Sequence, residues 1–305
     1  MISNKKYYFY ISIFFIIILL YFFYRNFSNK EQYNDRNFYK QISSGDSEET
    51  LKYFEKELEK INKIIKEEPK KNEYLYSKRG AINRELGYFE EALEDFNKAL
   101  KLEQNVWTYG ERGILKRKIG DFEGALEDFN EALKLKKNAW IYKERGILKR
   151  KIGNFEGALE DFNEALKLEQ NAWIFSEIGI TNKELGNLKE SLNNFNKALK
   201  LEQNAWIFSK RGLIKRELGD FKGALEDLNN ALKIKLSYIF YAERGLIKRE
   251  LGDFKGALKD FNDASKIEEK DSFNLREKNL EDFERTYSIY PSLDWVKQNI
   301  RELGN

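Results

Sequence analysis

The sequence contains no cysteine and no histidine. Without cysteine there is no disulfide, no thiolate nucleophile and no Cys-ligated zinc. Without histidine the side chain that most often moves protons near neutral pH is missing. The two absences together exclude most common catalytic mechanisms and leave only carboxylate or lysine chemistry. No phosphate-cradling G-x-x-x-x-G-K-[ST] loop occurs, and no G-x-G-x-x-G follows a strand. The reading is therefore a protein that is not an enzyme and takes no cofactor, metal or small-molecule substrate. Proline is nearly absent too: only Pro69 and Pro291 occur, so long helices can run with few forced breaks. An excess of one charge is also lacking. Lys plus Arg total 54 against 51 for Asp plus Glu, a net +3. That balance argues against a dedicated nucleic-acid binder, which shows a strong basic excess.

What the chain does have begins with an apolar run. Residues 7–24, YYFYISIFFIIILLYFFY, carry no charge. As a helix this run spans roughly 27 Å, close to the hydrocarbon core of a bilayer. Aromatic residues crowd both of its ends, as they do at membrane interfaces. A cleaved signal peptide would have a shorter apolar stretch and end in small residues, whereas this run exits through Phe22-Phe23-Tyr24-Arg25. The expectation is an uncleaved single-pass anchor. Residues 1–6 precede it as a short basic tail, and 25–50 follow as a polar tether. The flanking charges barely discriminate orientation; the basic N-terminus favours a domain on the extracytoplasmic side.

Self-similarity dominates the remainder. Glycines recur 33 residues apart at Gly80, Gly113, Gly146, Gly179, Gly212 and Gly245. A second series with the same period runs from Gly87 through Gly120, Gly153, Gly186 and Gly219 to Gly252. Residues 106–138 and 139–171 differ at only six positions. A fixed period of this kind means stacked supersecondary units. Each unit divides into two helices. Asn138 is placed to cap the first of its unit, with Asn105, Asn171 and Asn204 in equivalent positions and Ser237 replacing them once. Gly153 ends that helix and Asn154 caps the second. The apolar residues of the second helix, Phe155, Ala158, Leu159, Phe162, Ala165 and Leu166, fall on i, i+3, i+4 spacing.

These units resemble the tetratricopeptide repeat family. The matches are a small residue in the first helix (helix A), a glycine at the turn, and Ala, an aromatic and Ala along the second (helix B): Gly146, Gly153, Ala158, Phe162 and Ala165 in one unit, Gly113, Gly120, Ala125, Phe129 and Ala132 in another. The resemblance covers 73–270 in six units, preceded by a half-repeat at 51–72. Residues 271–305 are expected to supply capping helices. It implies an all-α chain, a right-handed α-solenoid of helix-turn-helix repeats, here behind a single transmembrane helix. There are departures. The unit has 33 residues, whereas the family period is about 34. Arginine (Arg79, Arg112, Arg145, Arg211 and Arg244) stands before the helix-A glycine, where the family has leucine, with Ile178 the exception. Ser191 replaces the first helix-B alanine of the fourth unit.

In this family helix A lines the concave face. Carried over by position, that face would show three ladders. One is Trp107, Trp140, Trp173 and Trp206. The second is Ala81, Ile114, Ile147, Ile180, Leu213 and Leu246. The third is Arg84, Arg117, Arg150, Lys183, Arg216 and Arg249. Tryptophan and arginine dominate interface energetics, so the tryptophans and the cations are the candidate partner-binding residues. They suit an extended protein or peptide partner bearing carboxylates and apolar side chains. RNA or another polyanion is the alternative ligand. The same residues could instead be structural, the tryptophans wedged against the preceding helix B, the arginines paired with Glu85, Glu184, Glu217 and Glu250. The recurring Glu127-Asp128 and Glu160-Asp161 pairs read as a solvated outer face rather than a catalytic dyad. The family's carboxylate clamp is not expected, because Ser77, Gly110, Lys143, Ser176 and Ser209 stand where it would need other residues.

Overall fold

The computed structural model describes residues 47–67, 72–275 and 293–304. The apolar run at 7–24 and most of its tether lie outside the described residues, as does the stretch 276–292. Among the described residues no helix is long and apolar enough to cross a membrane. All regular structure among them is helical.

Helix α1 (Ser47–Glu67) belongs to an N-terminal unit of its own. It begins inside the segment read as tether. Its Lys60 ammonium donates to Glu57 one turn earlier at 2.8 Å.

The second unit carries the repeats as six helix pairs: α2 (Glu73–Leu86) with α3 (Phe89–Leu102), α4 (Val106–Lys118) with α5 (Phe122–Leu135), and α6 (Ala139–Lys151) with α7 (Phe155–Leu168). They continue as α8 (Ala172–Glu184) with α9 (Leu188–Leu201), α10 (Ala205–Glu217) with α11 (Phe221–Ile234), and α12 (Tyr238–Glu250) with α13 (Phe254–Leu275). Each helix packs on its partner, each B helix on the next A helix, and the first four A helices on one another in succession. This is the nearest-neighbour architecture of a solenoid.

Local chemistry sets the boundaries. The Asn138 side chain accepts from the backbone N–H groups of Trp140 at 2.9 Å and Ile141 at 3.3 Å. Those donors have no intrahelical partner, so the cap satisfies them. Ser237 makes no such side-chain bond at the start of α12. At the turn, Gly153 has φ +82°, and the Asn154 N–H reaches back to the Lys149 carbonyl at 2.9 Å. That left-handed residue closes the helix end and turns the chain into α7. The Asn154 side chain then accepts from the Gly157 N–H at 2.9 Å.

The core of each pair is small-against-aromatic. Phe96, Phe129, Phe162, Phe195 and Phe261 are sealed from solvent, as are the alanines beside them on helix B. Each ring lies against the helix-A glycine of its own unit. In the fifth unit Leu228 takes the aromatic's place. The C-terminal helix α14 (Leu293–Gly304) covers the last pair. Its Ile300 and Leu303 pack against the buried cluster of Ala242, Ala257, Phe261 and Ala264, and Asn299 accepts from Arg249.

Candidate partner-binding face

The tryptophans stand in the first turn of their A helices. Trp107, Trp140 and Trp206 are partly buried, while Trp173 is 42% exposed. Trp140 meets the preceding A helix. A Cβ added at Gly110 would lie 2.5 Å from its ring, so the glycine makes room for the indole. The Trp173 and Trp206 rings approach to 5.2 Å between centroids, tilted by 34°. Beyond them along helix A, Ile114, Ile147, Ile180, Leu213 and Leu246 are each partly exposed, whereas Ala81 at the head of that ladder is sealed.

The cationic ladder is engaged with carboxylates along the same face. Arg84 pairs with Glu85 at 2.8 Å and with Glu111 of the next A helix at 2.9 Å. Arg117 reaches Glu144 at 3.0 Å, and Arg150 reaches Glu177 at 2.8 Å and Glu184 at 3.2 Å. Burial alone would raise the Glu144 carboxyl, but Lys143, Arg117 and Arg84 together hold it below its ordinary range. Lys183 pairs with Glu217 at 2.8 Å, Arg216 with Glu250, and Arg249 with Asn299 and Glu302. Side-chain exposure rises along the ladder from 8% at Arg84 through 21% at Arg150 to 40% at Arg249. The first cations are thus locked between repeats, and the later ones stand progressively nearer to solvent.

One regularity breaks at the junction of the fourth and fifth repeats. The residue 27 positions after the ladder cation is Glu111, Glu144 and Glu177 at the first three junctions, but Lys210 at the fourth. Burial pushes the Lys210 ammonium down to about 8, with Glu243 acting against that and Lys183 adding to it. The same ammonium lies 5.5 Å over the Trp206 ring.

A second cluster went unforeseen. Asp128 and Asp161, read from the sequence as part of a solvated face, are each only 2% exposed. That expectation holds for the neighbouring Glu127 and Glu160, which are exposed. It fails for the aspartates because they are enclosed by cations. Arg145 grips Asp161 with two bonds, 2.8 Å through Nε and 2.6 Å through its terminal nitrogen. Lys149 joins at 2.9 Å, and the free arm of Arg145 donates to Asn130 of the preceding repeat at 2.6 Å. The guanidinium also lies 5.7 Å from the Tyr142 ring centroid. Arg112, Arg211 and Arg244 repeat this arrangement on Asp128, Asp227 and Asp260, with Lys116, Lys215 and Lys248. In the first unit Arg79 grips Asp95 and Asn83 takes the lysine's place at 3.3 Å. The fourth unit has Ile178, Asn182 and Asn194 at the three positions and forms no such cluster. The arginine that departs from the family's leucine is therefore a bidentate tie within and between repeats. Its signal was in the sequence: the three residue types change together in one unit.

Among the described residues no group of three or more acidic side chains is placed to hold a metal ion. The arrangement defines a class, a stack of helix pairs that fixes a mixed aromatic, aliphatic and charged face along its A helices. Tetratricopeptide repeat models match residues 73–106 and 108–138, the first two of the six helix pairs. Among solved structures, a tetratricopeptide repeat protein from Parabacteroides merdae superposes with TM-score 0.60 at 20% identity, covering 88% of this chain and 100% of that one. A structure of the APC/C hetero-tetramer Cut9–Hcn1 gives 0.62 at 16% identity over 82% of this chain, which spans 46% of that one. Pseudomonas aeruginosa PilF gives 0.58 at 14% identity, covering 64% and 91%. At these identities the likeness is one of fold. No curated protein matches the sequence.

Proposed function

We propose that this protein is a membrane-anchored scaffold that holds an extended segment of a partner protein along its helix-A face. Tetratricopeptide repeat proteins generally mediate protein–protein interaction. The observation that carries the reading for this face is its apolar exposure. Helix B seals its alanines and its mid-helix aromatics Phe96, Phe129, Phe162, Phe195 and Phe261, whereas Ile114, Ile147, Ile180, Leu213 and Leu246 stay partly open beside the tryptophans. A row of apolar side chains kept accessible at each repeat, interleaved with cations, suits a segment that lies across several repeats. The cations are matched by carboxylates of the chain itself, so the face is not a bare basic stripe of the kind that binds polyanions.

A photo-crosslinking residue placed at Ile147, Ile180 or Leu213 in the full chain, in its own membranes, should give discrete protein adducts. The same residue at Glu127 or Glu160 on helix B should not. Trp173→Ala should weaken the adduct at Ile180, by about 2 kcal/mol in affinity if the ring is an anchor. Equal adducts from both faces would remove the assignment. The anchor is tested separately. Full-length protein should stay in the membrane pellet after alkaline carbonate, and release into the supernatant would rule out a spanning run at 7–24.

A further inference from the structure

We infer that two loops, on the edge where helix B hands over to the next helix A, rest on the headgroup layer of an anionic bilayer. Lys136 and Lys137 after the second repeat and Lys235 after the fifth meet the lipid phosphates, and Leu135, Ile234 and Leu236 enter between the headgroups. The inference rests on the chain being held at a membrane, and says which edge of the repeats faces the lipid and through which chemistry.

The repeats themselves supply the comparison. The two residues after helix B are Glu-Gln at 103–104, 169–170 and 202–203. They are Lys136-Lys137 after the second repeat and Lys235-Leu236 after the fifth. All ten positions are exposed, so packing does not decide them. Both loops exchange the acid for a cation, and then the amide for a second cation or for leucine. Leu236 is 64% exposed, so burial within the chain does not account for it. A cation at a helix C-terminus does offset the helix dipole, but three repeats carry glutamate there, so the helix does not require one.

Charge and apolarity then coincide. A half-exposed residue ends helix B in each of the first five repeats, as Leu102, Leu135, Leu168, Leu201 and Ile234. Only at Leu135 and Ile234 are the charged residues within two positions all lysine. Lys134 pairs with Glu131 on its own helix at 2.6 Å, while no salt bridge among the described residues involves Lys136, Lys137 or Lys235. Along helix A, by contrast, the ladder cations are matched by carboxylates of the chain. Exposed aliphatic side chains set among unmatched lysines suit an anionic lipid surface, which takes up both. A second copy of the same edge would be repelled by its like charge. The other edge of the same two repeats exposes Ile119 and Leu218, but beside Asp121, Glu123, Asp220 and a single lysine, Lys222. Negative lipid therefore favours one edge over the other. Helices α5 and α11, each 14 residues and so about 20 Å long, separate the two. Each lysine near an anionic surface favours the docked state about fivefold. For a chain already held at the bilayer, docking is an intramolecular step, so gains of this size suffice.

The chain has no cysteine, so a single introduced cysteine can carry a fluorescent dye. Full-length protein labelled through Leu135→Cys, Ile234→Cys, Ile119→Cys or Leu218→Cys is reconstituted into vesicles of phosphatidylcholine, alone or mixed with phosphatidylglycerol. The vesicles contain a lipid with a nitroxide on its headgroup. Dye at positions 135 and 234 should be quenched in the phosphatidylglycerol vesicles, and much less in phosphatidylcholine alone or in high salt. Dye at positions 119 and 218 should stay bright. Lys136→Glu with Lys137→Gln, and Lys235→Glu with Leu236→Gln, restore the Glu-Gln pair that three repeats already carry. Each pair of changes should lower the ratio of docked to undocked protein at its own loop about tenfold or more. Lys136→Gln or Lys235→Gln alone should lower it about fivefold, and melting curves separate lost docking from lost folding. Quenching followed by release of the protein in alkaline carbonate would remove the anchor and leave the loops on the lipid. Protein that stays with the vesicles unquenched would keep the anchor and overturn the loops, the result expected if they serve an acidic partner protein. Equal quenching at both edges, equal quenching without phosphatidylglycerol, or Glu-Gln variants that match wild type also overturn the assignment.

Discussion

Asp161→Ala is expected to loosen the third repeat by about 3 kcal/mol, whereas the triple change Arg145→Ile, Lys149→Asn and Asp161→Asn should cost less than half as much. The single change removes the one anion from between two cations. Asp161 is 2% exposed and the side chains of Arg145 and Lys149 are each 19% exposed. Breaking a buried ion cluster by deleting one partner costs about 3–5 kcal/mol, because it leaves charge without compensation. The lower end applies here, since both cations retain some water. Replacing the whole cluster is a different experiment. Buried ion pairs exchanged for neutral, packed residues are often near neutral in stability, since the desolvation cost leaves with the attraction. The fourth unit already carries this neutral set as Ile178, Asn182 and Asn194, so the geometry accepts it. What the triple variant does lose is the bond from Arg145 to Asn130 and the contact with Tyr142. Those contribute roughly 1 kcal/mol. Solenoids unfold by neighbouring units, so native-state hydrogen exchange of α6 and α7 is the measurement. A triple variant that opens as readily as Asp161→Ala would show that the ties contribute stability in their own right.

The same cluster shows where sequence reasoning stops. The helix pairs were legible because their signals are local: asparagine caps, turn glycines and a 3.6-residue apolar period each act within a few residues. The face was legible in outline because a 33-residue period places equivalent residues on equivalent surfaces. The ladder's acidic partners Glu184, Glu217 and Glu250 were legible too, but the pairing between the two helices of one repeat was not. Arg145, Lys149 and Asp161 converge only once α6 lies against α7, and the cap Asn138 says nothing about that register. The Glu127-Asp128 dipeptide makes the limit plain. Adjacent helix residues point about 100° apart, so one carboxylate faces water while the next is enclosed. For the tryptophans the direction of packing was the hidden quantity. Trp140 fits over Gly110 on the preceding A helix, a contact that depends on the angle between repeats. Lys210 was hidden for another reason. Near-identical units invite averaging, and the informative residue was the one that broke the average.

Gly146 and Gly212 occupy equivalent positions, yet alanine should have opposite effects at the two. A Cβ at Gly146 would lie 2.6 Å from the Phe162 ring, closer than real side-chain atoms approach. Phe162 is sealed from solvent and packed on all sides, so its ring has no room to retreat. Overpacking of this kind costs about 1–3 kcal/mol. Alanine also gains about 1 kcal/mol of helix propensity over glycine. The clash outweighs that gain, so Gly146→Ala should be destabilising and Gly146→Leu more so. In the fifth repeat the facing residue is Leu228. A Cβ at Gly212 would meet the Ala224 carbonyl and the Asp227 Cβ at 3.3 Å and the Leu228 Cγ at 3.6 Å. Shifts of a few tenths of an ångström accommodate those contacts, so the propensity gain should prevail. Gly212→Ala is expected to leave the fifth repeat unchanged or up to about 1 kcal/mol more stable. Adding Phe162→Leu to Gly146→Ala recreates the fifth repeat's pairing in the third and should recover part of the loss, although Phe162→Leu alone opens a cavity and destabilises. Hydrogen exchange of α6 and α10 reads all five variants. Equal destabilisation at the two glycines would mean that close approach of the helix backbones, rather than the size of the facing side chain, sets the need for glycine.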